Sequence, residues 1–190
     1  VGVPGLVAGL HEIHSRFGSK PWAELLQPAI HLAENGFKVY PDLAYALEER
    51  VETLRKFPES RETFLHTNGA PLKVGETLVQ KNLAETLRQI AAKGRNGFYD
   101  GPVAEAILRE SRERGGILSK QDFKKYRVRE RVAVRGQFRG YEIVSMPPPS
   151  SGGTHVIEIL NILESLYPAG VPAYPESASV HAVAASQQAV

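Results

Sequence analysis

The sequence contains no cysteine, which excludes disulfides, thiolate zinc sites and cysteine nucleophiles at the outset. It has no uninterrupted apolar run near the roughly 18 residues that a membrane-spanning helix needs. It also lacks an excess of charge of either sign: 23 Lys and Arg stand against 21 Asp and Glu, a net charge of +2. That balance, with 42% hydrophobic residues, excludes a disordered chain. No initiating Met is present. The chain opens on Val1, so we expect a piece of a longer protein, and a missing signal peptide says nothing of localisation. What is there is 190 residues, enough for one compact domain with a real core or for part of a larger one. The 17 Gly and 13 Pro imply many turns.

Helical periodicity dominates the first two thirds. After Pro4-Gly5, Leu6, Leu10, Ile13 and Phe17 recur at helix spacing, and Gly18 is a stop. Pro21 suits a helix start, and Trp22, Leu25 and Leu26 follow. Pro28 cannot donate a backbone hydrogen bond, so it is read as opening a second helix that ends at Asn35-Gly36. Asp42 is placed as the cap of a helix carrying Leu43, Leu47, Val51 and Leu54, closed by Pro58. Residues 59–79 lack helical periodicity, and Asn68-Gly69 reads as a tight turn. Leu83, Leu87 and Ile90 mark a helix from about Gln80 to Lys93. Gly101-Pro102 opens another, ended by Gly115-Gly116. Ser119 and Asp122 have the spacing of a capping box.

Then the period changes to two. Val132 and Val134 alternate with charged residues, and Tyr141, Ile143 and Ser145 alternate with Glu142, Val144 and Met146. This predicts an antiparallel hairpin with Gly136 to Gly140 between its strands. A helix follows, with Val156, Ile159, Leu160 and Leu163 on one side. Pro168, Pro172 and Pro175 make an irregular link to a last helix capped by Ser177 or Ser179, which runs to Val190 without a stop signal. The expected fold is mainly α with a small β-hairpin. It is one segment over residues 1–190, helical over 1–126, with the hairpin at about 130–146 and helical again over 152–190.

Residues that carry chemistry are sparse. His11 and His14 lie three apart, but no carboxylate completes a metal-ligand pattern, so helix packing is the better reading of both. No Gly-x-Ser-x-Gly elbow is present. Ser150 and Ser151 stand close to His155, yet closeness in sequence does not align a nucleophile with a base, and capping of the next helix explains them better. The most unusual stretch is Met146-Pro147-Pro148-Pro149-Ser150-Ser151-Gly152-Gly153. Three prolines stiffen it, and two glycines permit close backbone approach. Backbone amides at Ser150, Ser151, Gly152 and Gly153 form a candidate anion-binding nest, weighed against a rigid crossover from strand to helix. No catalytic residue and no metal ligand is assigned. From Lys124 to Arg139 the chain is basic, opposed only by Glu130. That run is read first as a solvated strand face, and alternatively as the surface of a stand-alone helical module for an anionic partner.

Four stretches, in order, resemble the gamma-glutamyltranspeptidase (glutathione hydrolase) family. They are Val1 to Leu10, Trp22 to Phe37, and Asn96 to Gly101 with Gly115 to Leu118 and Asp122 to Tyr126. The fourth is Tyr141 to Gly153, followed by Leu160-Asn161-Ile162-Leu163. One local departure is His181-Ala182-Val183-Ala184-Ala185, where family members often have Ala-Glu-Ala.

The resemblance implies an αββα N-terminal-nucleophile hydrolase made as a precursor that cuts itself into a large and a small subunit. The new N-terminal Thr attacks the gamma-glutamyl amide of glutathione with its own α-amino group as base. No cofactor or metal is implied. The residues that make and break bonds lie outside Val1 to Val190, so the chain is expected to be an internal large-subunit segment, inactive alone. The expected partners are the rest of the large subunit, the small subunit and a gamma-glutamyl substrate, with no nucleic acid, no membrane span, and a dimer of the segment as a possibility. A periplasmic or secreted parent is implied. A related acylase acting on other amides is the alternative within the same resemblance.

Overall fold

The computed structural model describes residues 2–173 and 176–189, so Val1, Pro175 and the end of the last helix at Val190 lie outside the described residues. The chain divides into two compact units, residues 1–128 and 129–190.

The first unit is helical. Helices α1 (Leu6–Phe17) and α2 (Trp22–Asn35) lead into strand β1 (Phe37–Lys38). Helices α3 (Pro41–Glu49), α4 (Val51–Leu54) and α5 (Pro58–Phe64) precede strand β2 (Thr77–Leu78). Helices α6 (Lys81–Lys93), α7 (Asn96–Tyr99), α8 (Pro102–Glu113) and α9 (Lys120–Lys125) complete it. Several boundaries follow the local chemistry read from sequence. Gly36, at φ 82°, ends α2 with its N–H on the Leu32 carbonyl. Gly101 and Pro102 open α8. Ser119 and Asp122 form the expected capping box on α9: the Ser119 hydroxyl accepts from the Asp122 N–H, and the Asp122 carboxylate accepts from the Ser119 N–H. At Asn68-Gly69 the chain turns tightly, with the Gly69 N–H on the His66 carbonyl and the Asn68 side chain accepting from the Ala70 N–H.

Four expectations are corrected here. Pro28 lies inside one continuous helix instead of starting a second. It forfeits only the bond to the carbonyl four residues back, that of Glu24. Asp42 sits in the first turn of α3, while Tyr40 is the cap residue and Pro41 the first helical residue. The helix expected to run on to Leu54 breaks at Arg50, and Pro58 begins α5 rather than closing its predecessor. Residues 59–79 therefore hold most of a short helix, and also a strand. That strand, β2, pairs antiparallel with β1 as Phe37↔Leu78 and Lys38↔Thr77, a second two-stranded sheet that local patterning did not announce.

The core of this unit gathers Ala8, Tyr99, Ala104 and Phe123, with Val3, Val7, Phe98, Ile107, Leu108, Leu118 and Tyr126 packed around them. Alongside it α2 packs on α6, where Trp22 donates its indole N–H to the Ile90 carbonyl at 2.9 Å.

The second unit is the expected hairpin with two helices. Strands β3 (Val134–Phe138) and β4 (Tyr141–Ser145) pair antiparallel from Val134↔Ser145 to Phe138↔Tyr141. The turn is two residues, Arg139 at φ 51° and Gly140 at φ 81°. Positive φ at both positions gives a twist that matches the strands. Gly136 thus belongs to β3 and not to the turn. Helix α10 (Gly152–Leu166) packs on both strands and on α11 (Ser177–Gln188). Neither Ser177 nor Ser179 caps α11. Glu176 is its cap residue without a side-chain bond, and Ser179 donates its hydroxyl to the Glu176 carbonyl.

Candidate functional site

The stretch joining β4 to α10 carries the candidate anion-binding nest, so its geometry is taken first. The Pro148–Pro149 peptide is cis. Ser150 returns its N–H to the Pro147 carbonyl at 3.3 Å, which closes a turn, and α10 begins two residues later. Ser151 is the cap residue, but its hydroxyl makes no capping hydrogen bond, and the capping role expected for it is corrected. The Ser151 carbonyl accepts the first helical bond, from the His155 N–H at 2.9 Å. That backbone bond is what joins Ser151 to His155.

The two glycines have different surroundings. A Cβ on Gly152 would meet nothing nearer than the Ser150 hydroxyl at 3.7 Å. A Cβ on Gly153 would stand 2.2 Å from the Met146 carbonyl oxygen and 3.0 Å from the Ser145 side chain. Gly153 is buried. It lets the first turn of α10 press against the end of β4. Gly136 does the same from the strand side, since a Cβ there would lie 2.6 Å from a methyl carbon of Ile157. The Gly-Gly pair thus has a packing explanation at its second position and an open backbone at its first. Ser150, Ser151 and Gly152 are solvent-exposed.

In the first unit, the first and third of the sequence stretches singled out above meet at Tyr99. Its phenol donates to the Pro4 carbonyl at 2.6 Å and accepts from the Ala8 N–H at 3.3 Å. The ring stacks on Tyr126, with centroids 5.6 Å apart and planes within 2°. The Arg95 guanidinium lies 4.7 Å from the Tyr99 ring centre and donates to the Tyr126 carbonyl at 2.8 Å. Burial pushes the Tyr99 phenol up from its ordinary pKa, opposed by the hydrogen bond from Ala8. Gly5 completes the fit, for a Cβ there would lie 2.1 Å from the Tyr126 hydroxyl oxygen. Sequence reading gave Arg95, Tyr99 and Tyr126 no role. The available signal was an Asn-Gly-Phe-Tyr-Asp-Gly run whose aromatics do not follow helical period.

His11 and His14 both pack on Trp22, each with its ring centre 5.2 Å from the indole. The Nε2 of His14 also bonds the Lys20 carbonyl at 2.7 Å. His66 meets Glu76 at 3.0 Å, and that carboxylate also accepts from the Lys73 N–H at 2.6 Å. The Lys73 amide first and His66 second hold the Glu76 carboxyl below its usual range. Among the described residues no group of three or more His, Asp or Glu is placed to hold a metal ion. No helix among them is long and apolar enough to cross a membrane.

The basic run is spread over different structures. Lys124 and Lys125 lie in α9, Arg135 in β3 and Arg139 in the hairpin turn. Arg127 donates to the Lys124 and Tyr126 carbonyls. Arg135 pairs with Glu142, and Arg139 donates to the Tyr167 carbonyl while its N–H meets Glu164. Three of its arginines are thus engaged within the protein.

The Gamma-glutamyltranspeptidase family model matches residues 1–189. The glutathione hydrolase proenzyme of Escherichia coli (strain K12) is 43% identical over 164 residues, 86% of this chain and 28% of the relative. The acylase ACY 1 proenzyme of Pseudomonas sp. (strain V22) is 40% identical over 184 residues, 97% of this chain and 33% of the relative. The crystal structure of Helicobacter pylori gamma-glutamyltranspeptidase superposes with a TM-score of 0.89 at 42% identity, over 99% of this chain and 54% of that one. The chain thus spans about a third or less of the length of these curated relatives. With residues 1–189 matched and the fold retained over nearly the whole chain, this chain belongs to the gamma-glutamyltranspeptidase family.

Proposed function

We propose that this chain is a scaffold segment, from the large subunit, of a gamma-glutamyltransferase that cleaves gamma-glutamyl amides such as glutathione. The observation that carries the reading is the family match along residues 1–189. The E. coli relative is a proenzyme, which supports a precursor that is processed. In the proposed reaction, the hydroxyl of a small-subunit N-terminal Thr attacks the gamma-glutamyl carbonyl, and the free α-amino group takes the proton. The amine leaves, a gamma-glutamyl ester remains, and water or an acceptor amine resolves it. Backbone donors stabilise the oxyanion. None of these groups is assigned to a residue of this chain. Its part is to hold shape: Tyr99 anchors the segment before α1, and Gly153 seats α10 on the hairpin. The whole would adopt an αββα architecture and act in the periplasm or outside the cell.

A second reading is an acylase acting on other amides. It is favoured by the 40% identity to acylase ACY 1 over 97% of the chain. One experiment separates the two. The intact protein is offered gamma-glutamyl anilide and a panel of acylated amines after self-cleavage. Release from the gamma-glutamyl substrate supports the first reading. Turnover confined to the other amides supports the second.

A further inference from the structure

We infer that the pocket between α7 and α9 is a binding site for a compact dianion, one carrying its charge on phosphate or on paired carboxylates. The inference stands on the pocket itself and does not depend on the proposed activity.

The pocket lies within the first unit and has a volume of about 340 Å³. That is the size of a small-ligand site. Three cations, Arg95, Lys120 and Lys124, line it against one carboxylate, Asp100. The excess is two positive charges, which a dianion neutralises. Its wall includes the rings of Tyr99 and Phe123, both buried in the core of this unit. An apolar wall excludes water from one side, so charge interactions there are stronger than in bulk solvent. A pocket this small, with a carboxylate inside it, suits a compact anion better than an extended polyanion.

The cations are placed in ways that the fold alone does not reward. Arg95 is held by the 2.8 Å bond to the Tyr126 carbonyl and by its seat on the Tyr99 ring. A guanidinium has five N–H donors, and that bond uses one. Lys120 and Lys124 are four residues apart on α9, so they share one side of the helix, where like charges repel. Lys120 is also the first residue of α9, a position where the helix dipole disfavours a cation. Neither lysine forms an ion pair among the described residues. An anion lying between the two ammonium groups and the guanidinium turns the repulsion into attraction. Local rules broken together around one cavity are the mark of a site.

The test is isothermal titration of the intact, self-processed protein at low ionic strength, with inorganic phosphate in one series and glutarate in the other. We expect saturable binding of at least one of them, and the series that binds tells which chemistry the site takes. Lys120→Ala with Lys124→Ala should weaken that binding about tenfold. Lys56→Ala with Lys81→Ala removes the same charge from exposed positions outside the pocket and should leave it unchanged. Asp100→Asn removes the opposing carboxylate and should tighten it several-fold, a gain that misfolding does not produce. Failure of both anions to bind overturns the inference. Binding that survives loss of Lys120 and Lys124 overturns it, as does equal weakening by the two lysine pairs. Binding no tighter in Asp100→Asn overturns it as well.

Discussion

The phenol of Tyr99 donates to the carbonyl of Pro4 at 2.6 Å across 95 residues of sequence. That bond, with the one Tyr99 accepts from Ala8, ties the Pro-Gly segment before α1 to the short helix α7. Replacing Tyr99 by Phe leaves the Pro4 carbonyl and the Ala8 N–H without the oxygen that satisfies them. We expect Tyr99→Phe to destabilise the protein by about 1–3 kcal/mol, read from a lower urea midpoint at unchanged slope. Unchanged stability would mean that water replaces the phenol.

The same group sets an alkaline limit. Burial raises the Tyr99 pKa above its ordinary value. The neutral phenol is therefore favoured by folding, and its contribution is complete below the unfolded pKa near 10 and fades as pH rises through the higher folded value. A titration of tyrosinate absorbance should show one residue lagging the other tyrosines. That lag should vanish in Tyr99→Phe.

Gly153 and Gly152 are adjacent, but they should respond oppositely to alanine. At Gly153 the added carbon meets a backbone carbonyl 2.2 Å away, which cannot swing aside. Overpacking of this kind costs typically 1–3 kcal/mol. At Gly152 the nearest atom is a serine hydroxyl at 3.7 Å, and alanine favours helix. Thermal melts of the two variants should therefore move in opposite directions or leave Gly152→Ala unchanged.

Acid should loosen two local structures. The Asp122 carboxyl is held low first by the Ser119 hydroxyl and then by the Ser119 N–H, and Glu76 by the Lys73 amide and then His66. For both, stability is present above the unfolded carboxylate pKa of about 4 and is lost as pH falls through the lower folded value. Ser119→Ala should cost about 1 kcal/mol at neutral pH and flatten part of the acid limb of the stability curve. An acid limb identical to that of the parent chain would contradict the capping-box account.

Several local signals were legible in the sequence. Ser119 with Asp122, Gly36, Gly69 and the Gly101-Pro102 start all act within three or four residues of themselves, and each appears as its sequence implied. The period of two around Ile143 likewise marked the hairpin, since one face of β3 and β4 meets α10. The cap assignments at Asp42, Ser151 and Ser177 or Ser179 missed within local chemistry, while other misreadings come from tertiary context. Pro28 is tolerated in α2 because a helix packed along α6 survives one missing bond. Strand β1 finds β2 about 40 residues onward, and two-residue strands leave no period to detect. Gly136 looked like turn chemistry because its real constraint, the side chain of Ile157, is distant in sequence. At the β4–α10 junction the glycines were legible as a close approach, but what they approach was not. For Gly153 it is the protein's own strand end. The family resemblance reached further than any of these local signals, because it joined Pro4-Gly5, Tyr99 and Tyr126 in one ordered set whose members meet in space.

The proposed reading makes this chain a scaffold segment of a gamma-glutamyltransferase whose nucleophile lies elsewhere in the protein. The direct measurement is release of the anilide from a gamma-glutamyl anilide by the 190-residue chain and by the intact self-processed protein, side by side. The account predicts turnover by the intact protein and none by the 190-residue chain; turnover by the 190-residue chain alone would contradict it.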